Sequence, residues 1–157
     1  KDVSIKPISP QSNGVPILIA AHGRSKLDRQ YKRVLLGDGL ISISDFPDEY
    51  ELVLDKVSEY YGPGASGFTK MEKSFYMTVN MGDNKEDLTE ESDHFLKAYY
   101  GVNIWQERWG PWGSPEEVIA RIKTYEDVGA ETIIVRFASY DQPKQLDLFL
   151  NRVVPNL

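Results

Sequence analysis

The chain contains no cysteine and only two histidines, His22 and His94, in 157 residues. Without cysteine there is no disulfide framework, no thiolate nucleophile and no thiolate metal site. Positive charge is also in deficit: 18 Lys and Arg stand against 24 Asp and Glu, a net charge of −6. Nucleic acid is therefore not expected as a partner, because phosphate binding needs a clustered basic excess. Long apolar runs are missing too. The longest, residues 15–21, is far shorter than a spanning helix, and the opening KDVSIKPISP lacks the apolar core of a signal peptide. These absences predict no membrane role and fit a cytoplasmic setting. No GxGxxG fingerprint follows the first strand, and neither a Walker loop nor a GxSxG elbow is present. The glycine-rich GPGASG, residues 62–67, follows a helix and precedes a strand, the wrong order for a phosphate cradle, and reads as a flexible loop.

What the chain does have is a repeated alternation of strand and helix. In residues 113–157, Ser114 is placed as an N-cap, Pro115 at the first helical position and Glu117 three residues after the cap, a capping box. Val118, Ile119, Ile122 and Tyr125 share a helical face, Gly129 suits the left-handed end of that helix, and Thr132–Phe137 follows as a β-branched strand. A last helix carries Leu146, Phe149, Leu150 and Val153. The same cycle occurs upstream: strand 16–21 with helix 25–36 (Leu27, Tyr31, Val34, Leu35), strand 40–43 with helix 47–60 (Val53, Leu54, Val57), and strand 74–81 with helix 85–100 (Leu88, Phe95, Leu96, Tyr99). Strands that alternate with helices and lack polar alternation predict a parallel sheet covered on both faces.

Hydrophobic residues make up 41% of the sequence, enough for one domain with a proper core. Four βα units either wind into an open sheet or form half of an eight-stranded barrel, which usually takes about 250 residues. We expect the half-barrel, spanning 1–157 as a single domain and a piece of a longer chain. A half-barrel leaves two edge strands, 16–21 and Thr132–Phe137, and an uncovered apolar inner face. It is therefore expected either to meet a missing N-terminal half or to self-associate, as in a homodimer.

Three segments resemble a known family. PILIAAHGRSKLDRQYKRVLLGDGLI is similar to the part of luciferase-like monooxygenases where a strand ends at a cofactor-phosphate loop, a helix follows and GDG leads into the next strand. SFYMTVNMGDNKEDLTEESDHFLKAYYG is similar to that family's seventh strand and helix, and GSPEEVIARIKTYEDVGAETIIVRFAS to its closing helix and eighth strand. The resemblance runs from about residue 15 to residue 157 and implies an α/β fold, the C-terminal half (last four βα units) of a TIM (β/α)8 barrel. It also implies a flavin- or deazaflavin-dependent oxidoreductase or monooxygenase acting on a small-molecule substrate, with FMN as cofactor or, alternatively, the deazaflavin coenzyme. Carried over residue by residue, it assigns cofactor binding to Ala21, His22, Gly23, Arg24 and Lys26, and a ring contact to Ser44 beside Asp45. His22-Gly23 stands where bacterial luciferase has Glu-Ser. No catalytic side chain is assigned; those from the first four strands would lie outside this sequence. Elementary chemistry supports the loop assignment: Gly23 lets backbone approach an anion, a helix starting near Ser25 offers free N–H groups, and Arg24 or Lys26 adds charge.

Each candidate has a plainer reading. His22 reads equally as a satisfied loop residue, Ser44 and Asp45 as an N-cap before Pro47, and Arg29, Lys32 and Arg33 as a solvated helix face. Arg136, inside a strand, is expected to be a structural ion-pair partner rather than an anion site. Trp105, Trp109 and Trp112 either wall a cavity or seal an interface. His94 and the acidic residues around it diverge about a helix, so neither catalysis nor metal binding is expected there.

Overall fold

In a computed structural model, which describes residues 10–12, 14–104 and 108–157, one strand organises the rest. This is β3 (Glu72–Met81), ten residues long and buried along most of its length. Upstream lie β1 (Leu18–Ala20), α1 (Arg29–Val34), β2 (Gly39–Ile43), α2 (Pro47–Tyr61) and α3 (Ser66–Lys70). Downstream come α4 (Lys85–Tyr100), β4 (Trp112–Gly113), α5 (Pro115–Asp127), β5 (Thr132–Phe137) and α6 (Gln142–Leu148), which continues into a π-helical turn, Phe149–Val153. The predicted cycle is present, with the first helix shortened to six residues and part of the glycine-rich loop recruited into α3.

All the strands are parallel, in the order β1, β2, β3, β5. Two-residue β4 pairs with Asn80 and Met81 of β3. The carbonyl of Thr78 and the N–H groups of Asn80 and Gly82 serve it, and these even-numbered groups face the β2 side, as does the Glu72 N–H that bonds Asp38. β4 therefore prolongs the line of β2, and β1 and β5 remain the two edges, as expected of four βα units.

Alternation along β3 sends Phe75, Met77, Val79 and Met81 to one face, where they join Tyr50, Val53, Val118, Ile122 and Tyr125 of α2 and α5. Phe75 stacks on Tyr125 at 3.7 Å between ring centroids, and Tyr50 meets both edge-on. The capping box of α5 is formed as predicted: the Glu117 N–H donates to Ser114 Oγ, the Ser114 N–H donates to Glu117 Oε2, and Gly129 follows at φ 102°.

The opposite face is not left bare. Asn80 Nδ2 donates to Glu91 Oε2 at 2.9 Å and to Ser92 Oγ at 3.2 Å, which draws α4 across the C-terminal end of the sheet. There Leu96, Trp109 and Ala138 form a second core with Ile43, Phe95 and Trp112. Because α4 turns this side inward, Ser92 is buried and Tyr99, expected on the inner face, is exposed. Trp109 seals this face of its own sheet; Trp105 lies outside the described residues. Arg136, paired in register with Thr78, has no carboxylate partner among the described residues. Its guanidinium sits 4.7 Å from the Trp109 ring and 5.3–5.6 Å from Tyr76, Tyr99 and Tyr100, and donates to the Tyr100 hydroxyl. Cation–π contact replaces the expected ion pair.

Glu91 locks α4 in place by accepting from Asn80, from the Ser139 hydroxyl and from the Tyr140 N–H. Burial works against its ionisation, but these donors outweigh it and hold the carboxyl below the usual range. Its contribution is then fully present above the ordinary value of 4.5 and is lost as pH falls through the lower native value. Glu91→Gln is expected to lower the urea midpoint at pH 7 and to flatten its decline below pH 4.5; a pH profile parallel to that of the parent would refute the assignment.

Candidate functional site

Parallel pairing brings the C-terminal ends of β1, β2, β3 and β5 to one edge of the sheet, the edge on which βα folds build their sites. Asp45, just beyond β2, is the centre of that edge. Its side chain has no exposed surface, and its Oδ2 accepts from the Gly23 N–H at 2.8 Å and from the Ser42 hydroxyl at 2.6 Å. His22 Nδ1 lies 3.8 Å from Oδ2 and Arg24 Nε 3.5 Å from Oδ1. The Asp45 carbonyl accepts from the Tyr125 hydroxyl at 2.6 Å, tying the edge to α5. His22, Gly23 and Arg24, assigned to a cofactor loop from the sequence, thus converge on an internal carboxylate.

The rest of the assigned set separates. Ala21 is wholly buried in the main core. Lys26 is exposed. Ser44 is buried with φ 61°, a left-handed conformation that an L residue adopts only when its surroundings impose it. Those surroundings are Arg108 and Trp109: the Trp109 indole N–H donates to Ser44 Oγ, and Arg108 donates to the Ser44 carbonyl at 3.2 Å. Arg108 also forms a two-pronged pair with Glu49 and lies 4.5 Å from the centroid of the Phe46 ring. Burial disfavours the Glu49 carboxylate, but Arg108 and the Phe46 N–H outweigh it and depress its pKa. Neither Ser44 nor Asp45 is the N-cap of α2; Phe46 is.

The expected helix start near Ser25 is not formed. α1 begins at Arg29, and amides of the segment before it are engaged within the protein: the His22 N–H by Gln30, the Gly23 N–H by Asp45, the Ser25 N–H by the His22 carbonyl and the Leu27 N–H by Ser25 Oγ. Gln30 supplies Oε1 to the His22 N–H at 3.0 Å and Nε2 to the His22 carbonyl at 2.8 Å. Gln145 of α6 does the same for Met81 at the end of β3, at 2.9 and 2.8 Å. Two strand ends are thus held through both peptide groups of one residue. Sequence reasoning missed both glutamines; their only signal was a polar residue next to an apolar stripe, at positions 30 and 145, while Leu27 and Leu146, expected inside, are exposed. Among the described residues, no His, Asp and Glu group has the geometry to hold a metal ion, and no helix is long and apolar enough to cross a membrane.

Gly23 owes its identity to packing: a Cβ there would stand 2.3 Å from the Glu49 carbonyl oxygen and 2.8 Å from the Glu49 carbonyl carbon. Gly23→Ala must push the loop off the first turn of α2. The expected cost is about 1–3 kcal/mol in urea unfolding, with Asp45 losing its backbone donor; a stability equal to that of the parent would refute the close approach.

No family model matches the chain. It is 26% identical over 169 residues to the F420-dependent glucose-6-phosphate dehydrogenase 2 of Rhodococcus jostii (strain RHA1), covering 92% of this chain and 49% of that protein. An F420-dependent secondary alcohol dehydrogenase, solved with an F420-acetone adduct, shares the fold at a TM-score of 0.74 and 16% identity, covering 92% of this chain and 49% of that one. The EDTA monooxygenase of Chelativorans sp. BNC1 shares it at a TM-score of 0.61 and 12% identity, covering 95% of this chain and 45% of that one. The chain spans about half the length of the curated relative it matches. Sequence relative and solved folds together bear out the resemblance to the luciferase-like oxidoreductases, with this chain corresponding to about half of each.

Proposed function

We propose that this chain forms half of the barrel of an oxidoreductase that uses the deazaflavin coenzyme F420, and that its strand-end loop carries the anionic end of that coenzyme. The observation that carries the reading is the 26% identity to an F420-dependent dehydrogenase through 92% of the chain. The wider fold, shared with an F420-dependent alcohol dehydrogenase, agrees with it.

The residues suit such a group in one way and not in another. F420 carries a phosphate and a carboxylate tail, so cations at the rim of the sheet are the fitting complement. Arg24 and Lys26 are exposed there, and Arg24 is oriented by Asp45. A cradle of backbone N–H groups does not suit, because the Gly23 and His22 amides are already bonded within the protein. Contact therefore falls to the side chains of His22, Arg24 and Lys26, while Ala21, Gly23 and Ser44 shape the floor beneath them. When bound, the coenzyme supplies a carbon that accepts or donates hydride. The protein's part is to orient it: Gln30 fixes the loop, Asp45 fixes Arg24 and the His22 backbone neighbour, and Trp109 excludes water from Ser44. A small molecule oxidised at a hydroxyl-bearing carbon is the corresponding substrate class.

A second reading, FMN-dependent monooxygenation, is favoured by the fold shared with a monooxygenase. Fluorescence titration of the chain with F420 and with FMN at low salt separates the two. F420 is expected to bind at least about tenfold more tightly, and Arg24→Ala and Lys26→Ala each to weaken it by about 1 kcal/mol. Tighter FMN binding would favour the second reading, and binding of neither would remove the proposed site.

A further inference from the structure

Two neighbouring side chains at the rim each hold a buried polar atom with no hydrogen-bond partner among the described residues: Nδ1 of His22 and Oδ1 of Asp45. Folded proteins leave few such atoms, because a buried polar group without a partner has lost its water and gained nothing in exchange. We infer that His22 binds the phosphate of the coenzyme as an imidazolium, bridging that phosphate and Asp45, and that binding draws one proton from solvent onto the ring. This rests on the coenzyme reading above and gives its anion site a definite chemistry. No bond of the ligand changes; the ring gains the proton and its charge.

The tautomers of the ring require that state. Nδ1 lies 3.8 Å from Asp45 Oδ2, beyond hydrogen-bond reach but within the range of an ion pair. A neutral imidazole has one N–H and one bare nitrogen. With its proton on Nε2, the ring turns a lone pair on Nδ1 toward a carboxylate, and two acceptors stay apart. With its proton on Nδ1, it serves Asp45 but meets an arriving phosphate with a lone pair. Only the cation, with a proton on each nitrogen, serves an anion on either side. The side chain is 32% exposed while Nδ1 is buried, so the part open at the rim is the far edge of the ring, where Nε2 stands. The mount beneath does not shift: Gln30 holds the N–H and the carbonyl of His22, and the Tyr31 hydroxyl donates to the same carbonyl at 3.2 Å.

The surrounding charges lead to the same result. Arg24 Nε lies 3.5 Å from Asp45 Oδ1, and those two charges cancel. On α2, Glu49 is paired with Arg108. α1 presents neutral Gln30 and Tyr31, whose hydroxyl is held above its usual range by burial. Lys26 and Asp28, both exposed on the loop, are of opposite sign. A phosphate arriving here adds a negative charge to a balanced set, and His22 is the member of that set that can change its own charge near neutral pH.

Proton NMR of the histidine ring signals through a pH series, with and without F420, tests this, and a His94→Gln variant identifies the His22 signal. In the complex the His22 titration midpoint is expected to rise by at least about one pH unit, a tenfold gain in proton affinity. The deazaflavin chromophore without its phosphate is expected to leave the midpoint unmoved. His22→Asn keeps a donor but does not titrate. The affinity advantage of the parent over this variant should be about tenfold near pH 6 and should shrink as the pH rises toward about 8. A complex that forms with the midpoint unmoved would overturn the inference and leave the coenzyme reading standing. A chain that binds no F420 would overturn both. A midpoint moved equally by the phosphate-free compound would overturn the phosphate contact.

Discussion

A carboxylate with no exposed surface must find its compensation inside the protein, and the edge of this sheet is arranged around that requirement. Asp45 sits where β2 ends, at a depth that water does not reach. Its oxygens are met by a backbone amide from the loop after β1, by the hydroxyl of Ser42 three residues earlier, and by the His22 ring and the Arg24 guanidinium at longer range. Its carbonyl is met from α5 by Tyr125, whose ring also stacks on Phe75 of the central strand. One charge therefore fixes the relation between the first strand, the second strand and the helix layer. The left-handed conformation of its neighbour, Ser44, follows from the same demand, because the turn must bring Asp45 inward while Arg108 and Trp109 close over Ser44.

The elements were legible because their signals are local. A capping serine, a proline at the first helical position, a glutamate three residues after the cap and a terminating glycine define α5 without reference to anything distant, and the β-branched run after them defines β5. The parallel order with β1 and β5 at the edges also follows from alternation. What the sequence does not display is how polar side chains are spent on partners far along the chain. Gln145 reaches 64 residues back to Met81, Tyr125 reaches 80 residues back to Asp45, and Arg108 reaches 59 back to Glu49. No periodicity encodes such pairings. The same limit explains α4: its stripe predicts one apolar face, but only the Asn80 to Glu91 bond reveals which side of the sheet that face meets.

The loop after β1 shows how a resemblance and a geometry can point to the same residues for different reasons. His22, Gly23 and Arg24 stand where a family pattern puts a phosphate loop, and the glycine is required there. Its requirement comes from the carbonyl of Glu49 pressing against it, and its amide serves an internal anion. A motif identifies a position under constraint; the source of the constraint is read only from the contacts.

The paired grip of Gln30 and Gln145 has a consequence of its own. Each amide reads the N–H and the carbonyl of a single residue, groups that every amino acid except proline presents alike. The path of the chain at positions 22 and 81 is thereby separated from the identity of the side chain mounted there. At position 22, where the side chain is partly exposed, a scaffold held in this manner can exchange the chemical group it displays at its rim, imidazole for hydroxyl or carboxylate, while the mounting point stays where it is; at position 81 the same grip holds a side chain that faces the core.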